Sequence, residues 1–286
     1  MNLQHVREQN RRSWDAVVPA HMSHHTDLAA FLASGGSTLF PEELELLGPL
    51  AGLRLVHLMC NTGQDTLSLA AHGAVALGID ASSVAICYAQ KLSQQSGISA
   101  RFICVDVYDW LEQTQASAEY YDCLFCSYGS ICWLPELTPW AQGLAAVLVP
   151  GGHFVLVEFH PTSNMFDANG TWTRDYPGCG RMLELAGIDD YVGASAGGLT
   201  PSGFQEGVQG FTNPEPCYLF QWGLGEVVTA LAQAGLQIEV LHEYPYINGE
   251  RPFANMRDLG MRRLALPEHV PAMPLMYGIS ARKQKL

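Results

Sequence analysis

Leu55-Val56-His57-Leu58-Met59-Cys60-Asn61-Thr62-Gly63 decides how this chain folds. Its first half is apolar and, with Leu53 and Arg54, reads as a strand. Its second half turns short and polar, ends on glycine, and opens a helical stretch from Asp65 to Ala71. Working outward, the same exchange of strand for helix recurs. Ala74 to Ile79 reads as a strand ending at Asp80, and Ser82 to Gln95 as a helix with Ser82 or Ser83 as its cap. Two strands follow, in Ala100–Asp106 and Tyr120–Tyr128. Leu137 to Leu148 reads as a helix stopped by Pro150-Gly151-Gly152, and His153–Phe159 as another strand. The strands are continuously apolar, as parallel strands covered on both faces are. Alternating β and α units imply a doubly wound sheet of the Rossmann-like α/β class.

The flanks read differently. Residues 1–50 look like an N-terminal helical cap. One helix is expected over Val6 to Val18, stopped by Pro19. A short apolar stretch follows from Leu28 to Leu32, and a further helix is expected near Pro41, with Glu42 and Glu43 at its positive end. Residues 51–286 form the main domain. Within it, 161–222 are rich in Gly, Pro, Asn, Thr and Ser with interspersed aromatics, the composition of a long binding loop or lid. Gly225 to Ala234 reads as a helix; Gln237 to Tyr244 and the Leu275–Ser280 segment read as the closing strands.

Composition limits the function. Of the 286 residues 48% are hydrophobic, enough for a sizeable core, and the formal net charge is −13. Such a surface repels phosphate backbones, so nucleic acid is not expected as a partner. No apolar run approaches the roughly 20 residues of a membrane span. The polar beginning lacks the apolar core of a secretory signal, which points to a cytoplasmic enzyme with no membrane partner. Its eight cysteines are then expected to be thiols. Cys123 and Cys126 form a CxxC, but inside a strand their side chains face opposite ways, which argues against a shared metal. His21, His24 and His25 have metal-like spacing without a carboxylate or thiol partner that the sequence places beside them, and no metal is expected.

The strand–loop–helix run at Leu55–Gly63 resembles the first motif of class I S-adenosylmethionine-dependent methyltransferases. Cys60, Thr62 and Gly63 fit that motif. His57 stands where the family usually has an acidic residue, and Met59 and Asn61 where it has glycines. The later elements fit in order: Asp80, Val105-Asp106-Val107, Cys126-Ser127-Tyr128, and Leu148–Gly152 leading into Phe154–Glu158. The resemblance spans roughly Leu53 to His160 and continues through the last strands. It implies a seven-stranded sheet with the last strand antiparallel and S-adenosylmethionine at the carboxyl ends of the strands. It further implies that Cys60, Asn61, Thr62, Gly63 and Gln64 approach the methionine part, that Asp80 with Ala81 takes the ribose, and that Asp106 with Val107 takes the adenine. Cys126 and Ser127 would line the methyl-transfer cleft.

Methyl transfer is a displacement at carbon, so the protein's task is alignment and exclusion of water, with a base where the acceptor must lose a proton. His160, just past a strand, with Glu158 two residues earlier, is the expected base. Tyr128 and Trp133 are expected near the sulfonium, whose charge suits aromatic faces. His25, Trp133, Trp172 and Tyr176 are candidates for an acceptor pocket. Each has a plainer reading: Asp80 and Asp106 as turn or helix caps, His160 as a strand end, Glu158 as a structural group, the aromatics as packing.

The function expected is methyl transfer to a metabolite through an oxygen, nitrogen or carbon nucleophile. Cys126-Ser127-Tyr128-Gly129 stands where many relatives acting on amides and nucleobases carry an Asn-Pro-Pro-Tyr-like tetrapeptide, which favours a small molecule. A related protein that binds the cofactor without transferring methyl is an alternative. A nicotinamide-dependent dehydrogenase is another, which Asp80 suits, but a three-glycine phosphate loop is missing. Monomer and homodimer both remain open.

Overall fold

The helical signal that opens the chain outlasts its proline. In the computed structural model, which describes residues 2–285, α1 runs from Leu3 to Ser23 straight through Pro19. Proline inside a helix forfeits one hydrogen bond and costs roughly 3 kcal/mol. Burial of Val17, Val18 and Ala20 around it offsets that cost, which local reading misses. Two short helices follow, α2 (Leu28–Ala33) and α3 (Pro41–Leu47).

The alternating core comes next: β1 (Arg54–Leu58), α4 (Gln64–Ala71), β2 (Val75–Asp80), α5 (Ser83–Ser96), β3 (Arg101–Cys104), α6 (Val107–Ser117), β4 (Tyr121–Cys126), α7 (Leu137–Val147) and β5 (Leu148–Phe159). Helix α6 is absent from the sequence reading. Asp106, taken as a strand end, is its N-cap and accepts from Tyr108 N at 2.9 Å. Beyond β5, the segment read as irregular contains β6 (Arg181–Leu185), α8 (Tyr191–Ala194) and β7 (Cys217–Gln221), with β6 and β7 paired antiparallel. Then come α9 (Leu224–Gln233), β8 (Leu236–Tyr244), β9 (Tyr246–Asn248), β10 (Arg257–Gly260), β11 (Arg263–Ala265) and β12 (Met276–Lys283). Strands β9–β11 form a small antiparallel sheet of their own.

The main sheet has seven strands in the order β3-β2-β1-β4-β5-β12-β8. Strands β1 to β5 pair in parallel, while β12 is antiparallel to both β5 and β8. The order reverses between β1 and β4, the switch point where open α/β sheets bind ligands. Period-two alternation divides each central strand between two packing layers. Val56, Leu58, Leu124, Cys126, Phe154 and Leu156 face α6, α7 and α9. Leu55, Cys123, Phe125 and Val155 face the other side, where Leu47 of α3 and Leu69 of α4 meet them. The opposed orientation read for Cys123 and Cys126 is therefore the one observed. The first 50 residues divide as well: α3 joins a face of the sheet, while α1 lies over its carboxyl end.

Candidate active site

The strand tips at the switch point carry the polar side chains. Met59 and Asn61, just past β1, have φ of 53° and 49°. This left-handed backbone, normally left to glycine, keeps the shape of the glycine-rich turn although the residues differ. Gly63 (φ 74°) caps α4, and a Cβ there would run into Ala89 and Phe102. Asp80 at the tip of β2 ties the turn down: Oδ2 accepts from Asn61 N and Oδ1 from Ser82 N, both at 2.8 Å. Burial pushes its carboxyl up to about 6, against the pull of those two amides. The acidic position taken by His57 is filled by a buried imidazole 2.9 Å from Thr66 Oγ1 and 3.2 Å from Ser127 Oγ, so the ring links α4 to the segment after β4.

A cavity of about 810 Å³ opens above these tips. Cys60, Asn61, Gln64, Asp80, Ala81, Asp106, Val107 and Ser127 line it, as do Tyr128, Trp133 and Glu158. Thr62 and Gly63 shape the turn below its wall, and Cys126 is wholly buried in the core beneath.

Other expectations are corrected. His160 is not on the cavity wall: Nδ1 is 3.0 Å from Thr162 Oγ1, and Nε2 makes an ion-pair contact of 3.0 Å with Glu243 on β8. The chain bends into a one-turn 3₁₀ helix at Pro161, which ends the alternation that would have carried the ring inward. His25 is buried away from the cavity, its backbone bridged to Phe204. Trp172 is 67% exposed on the outer surface. Tyr176 accepts from Leu224 N at 3.2 Å and packs at the start of α9. Both aromatics serve the insertion's own outer side, a distinction that composition does not carry.

Glu158 is fully engaged. Its carboxylate accepts from the amides of Gly129 (2.6 Å), Ser130 (2.8 Å), Ile131 (3.0 Å) and Phe159 (2.8 Å). It anchors the turn after β4, a structural role, although burial still holds its carboxyl above the usual range. Tyr128, fixed between Phe40 and Phe159, accepts from Asn248 Nδ2 at 2.9 Å.

The roof is what sequence reading missed. Arg7, Asn10, Arg11 and Trp14 of α1 all line the cavity. Arg7 Nη1 donates to Asp106 Oδ1 at 2.6 Å. Arg11 pairs with Asp15 at 2.6 Å, Asp15 accepts from Ser82 Oγ at 2.5 Å, and Trp14 Nε1 donates to Asn61 Oδ1 at 3.3 Å. Their spacing of three, four and seven is one face of a helix, and that polar, aromatic stripe was the available signal. Further along the wall are Phe40, under the Arg262 guanidinium at 4.1 Å, then Glu43, Asp65, Tyr191 and Glu250. His24, which the sequence left without a carboxylate, lies 2.7 Å from Asp190.

The residues present fit the expected cofactor. Gln64 Oε1, at the cavity, is buried with no hydrogen-bond partner among the described residues, which suits an ammonium. The amides that open α4 face a carboxylate well. The hydrogen bonds to Asp106 all fall on Oδ1, leaving Oδ2 for an exocyclic amine. Asp80 retains lone pairs for hydroxyls.

The fold is a Rossmann-like α/β sheet with a polar cleft at its switch point. The family model for a methyltransferase domain matches residues 56–152. A methyltransferase of Synechocystis sp., itself uncharacterized, is 28% identical over 195 residues, covering 62% of this chain and 86% of its own. Among solved structures, a putative S-adenosylmethionine-dependent methyltransferase from Listeria monocytogenes superposes with a TM-score of 0.56 at 16% identity, over 85% of this chain and 96% of that one. The CcbJ methyltransferase from Streptomyces caelestis gives 0.56 at 15% identity over 95% and 98%. Residues 56–152 are thus matched as a methyltransferase domain, and the fold around them is the one that S-adenosylmethionine-dependent methyltransferases share.

Proposed function

We propose that this enzyme methylates a small-molecule acceptor held inside the cavity. One observation carries the reading: a single cavity of about 810 Å³ runs from the Asp80 and Asp106 tips to Tyr128, Tyr191 and Glu250, with α1 and the β6–β7 insertion contributing to its walls. That volume is in the range of pockets that engulf small ligands, about 300–1,000 Å³. A net charge of −13 disfavours nucleic acid.

When bound, S-adenosylmethionine supplies a methyl group already activated on a sulfonium. Asp80, Asp106 and the amides after Gly63 hold the nucleoside and amino-acid ends, while Trp14 and α1 exclude water. Tyr128, Phe159 and Trp133 offer aromatic faces beside the cleft, where a cation is favoured. The eight cysteines are all unpaired, in keeping with a cytoplasmic setting. Among the described residues no helix is long and apolar enough to cross a membrane.

The test is a crystal structure with S-adenosylhomocysteine. It should place the sulfur facing an empty compartment bounded by Tyr128 and Tyr191. A compartment filled by protein side chains, or open as a broad surface groove, would reject a small acceptor.

A further inference from the structure

Glu250 follows β9 and faces the cavity. It is partly buried, and its side chain has no hydrogen-bond or ion-pair partner among the described residues. The other carboxylates on the wall that are not exposed are occupied: Glu158 by four amides, Asp80 by two, Asp106 by Arg7, Asp65 by Thr38, and Glu43 by Phe40 N. The Asp167 side chain is taken up by the amides of Asn169 and Thr171. Glu250 therefore stands apart from the other shielded acids of the wall, each of which already holds a partner within the protein; the exposed Asp189 also lines the cavity.

Its seat is fixed. Gly249 (φ 73°) donates to Arg262 O at 2.8 Å, and Glu250 N donates to Asn248 O at 2.8 Å. Gly198 of the insertion packs against the Gly249 carbonyl so closely that it has no room for a Cβ. Burial above all raises the pKa of Cys132, in the turn after β4, and of Tyr191 of α8, and the Glu250 charge adds to both. Glu158 in turn reaches Glu250. Tyr191 and the turn after β4 also meet α1, through His21 and Trp14, and Glu250 lines the same cavity. Carboxylates also outnumber arginines along the wall, so the chamber attracts cations and repels acids.

We propose that Glu250 is the acceptor-binding base and that the acceptor is an amine, an inference that rests on the methyl-transfer reading above. The carboxylate receives the acceptor's ammonium and takes one proton, leaving a neutral nitrogen with its lone pair. That nitrogen forms a bond to the methyl carbon as the carbon–sulfur bond breaks, and the bonding electrons remain on sulfur. The products are a methylammonium and S-adenosylhomocysteine, and the proton on Glu250 returns to solvent when the chamber opens. Burial brings the Glu250 carboxyl up to about 7, closer to an alkylammonium than an ordinary carboxyl is, so the proton transfer is less steep.

Sinefungin, which carries a primary ammonium where S-adenosylmethionine carries its methyl sulfonium, probes this charge without knowledge of the acceptor. Calorimetry on the native enzyme should show sinefungin binding at least tenfold tighter than S-adenosylhomocysteine. In Glu250→Gln the S-adenosylhomocysteine affinity should stay within twofold while the sinefungin advantage shrinks at least fivefold; Glu250→Asp should recover part of it. An advantage equal in native and Glu250→Gln enzyme, or none in the native enzyme, overturns the proposal and leaves methyl transfer standing. A native enzyme that binds neither ligand overturns both. In parallel, S-adenosylhomocysteine release should be confined to amines in a panel of matched amines, alcohols and carboxylic acids, with kcat down at least twentyfold in Glu250→Gln. Turnover confined to alcohols or acids overturns the amine assignment.

Discussion

Arg7 Nη1 sits 2.6 Å from Asp106 Oδ1, joining residues 99 positions apart in sequence. Through this pair the first helix is tied to the tip of β3, directly over the place where adenine is expected. The guanidinium is about a quarter exposed, so its contribution to stability is small, within about 1 kcal/mol. Its effect on traffic through the roof is larger in consequence. Arg7→Ala should speed S-adenosylhomocysteine release about fivefold while lowering folding stability by less than about 1 kcal/mol. Stopped-flow fluorescence of Trp14 against a competing ligand reads the rate; an unchanged rate would mean that α1 does not gate release.

Asp80 serves two masters, the Asn61 and Ser82 amides and the expected ribose. Asp80→Asn keeps the size and removes the charge-assisted acceptors. Cofactor affinity should fall by about 2–3 kcal/mol, measured calorimetrically with S-adenosylhomocysteine. Affinity within twofold of native would move the ribose elsewhere.

Glu158 behaves as a mooring for backbone. Replacement by Gln turns one acceptor oxygen into a donor that faces amides already pointing at it. Glu158→Gln should cost about 3 kcal/mol in urea unfolding, the range for leaving buried charged-group hydrogen bonds unmade. A cost under about 1 kcal/mol would contradict the four-amide description.

His57 gives the protein an acid-sensitive core. Burial alone depresses its pKa to about 3, and burial first, with His21 and His24 adding, brings His25 down to about 4. Unfolded, each titrates near 6.5. As pH falls below that value the unfolded chain takes up protons that the folded chain refuses, so stability drops with falling pH. Asp80, raised to about 6, acts in the opposite direction over part of that range. The contribution of His57 is isolated by difference: between pH 6 and 4, native enzyme should lose about 1 kcal/mol per pH unit more than His57→Gln. Parallel stability curves for the two proteins would refute it.

Asn61 adopts a conformation that asparagine tolerates and β-branched residues do not. Asn61→Gly should fold within about 1 kcal/mol of native, whereas Asn61→Val should lose about 2 kcal/mol, both read from urea midpoints. Equal midpoints would mean that the turn relaxes.

The strands of the nucleotide-binding half were legible because each is a short apolar run bounded by polar or glycine breaks, and the tips follow from where the runs stop. Asp80 and Asp106 could therefore be placed on the cavity from sequence. The α6 helix escaped because its capping Asp106 follows Cys104 and Val105 with no break, so strand and cap read as one run. Strand β9 escaped for a different reason: Pro245 follows the run that closes at Tyr244, and the three residues Tyr246–Asn248 beyond it are too few to read as a strand. His160 is expected at the cleft because it stands just past a strand end, but Pro161 turns the backbone there. The roof was illegible for another reason: Arg7 meeting Asp106, or Glu250 facing Cys132 and Tyr191, depends on how distant segments stack, and local pattern does not encode that.

The chamber has two kinds of wall. Its floor is rigid sheet edge, and its ceiling is assembled from α1, the β6–β7 insertion and the segment around β9, which are far apart along the chain. Sequence drift in one ceiling piece can therefore reshape the space offered to a guest molecule while the floor's hold on the nucleoside is undisturbed. Selection can retune what is modified without rebuilding how the methyl donor is carried.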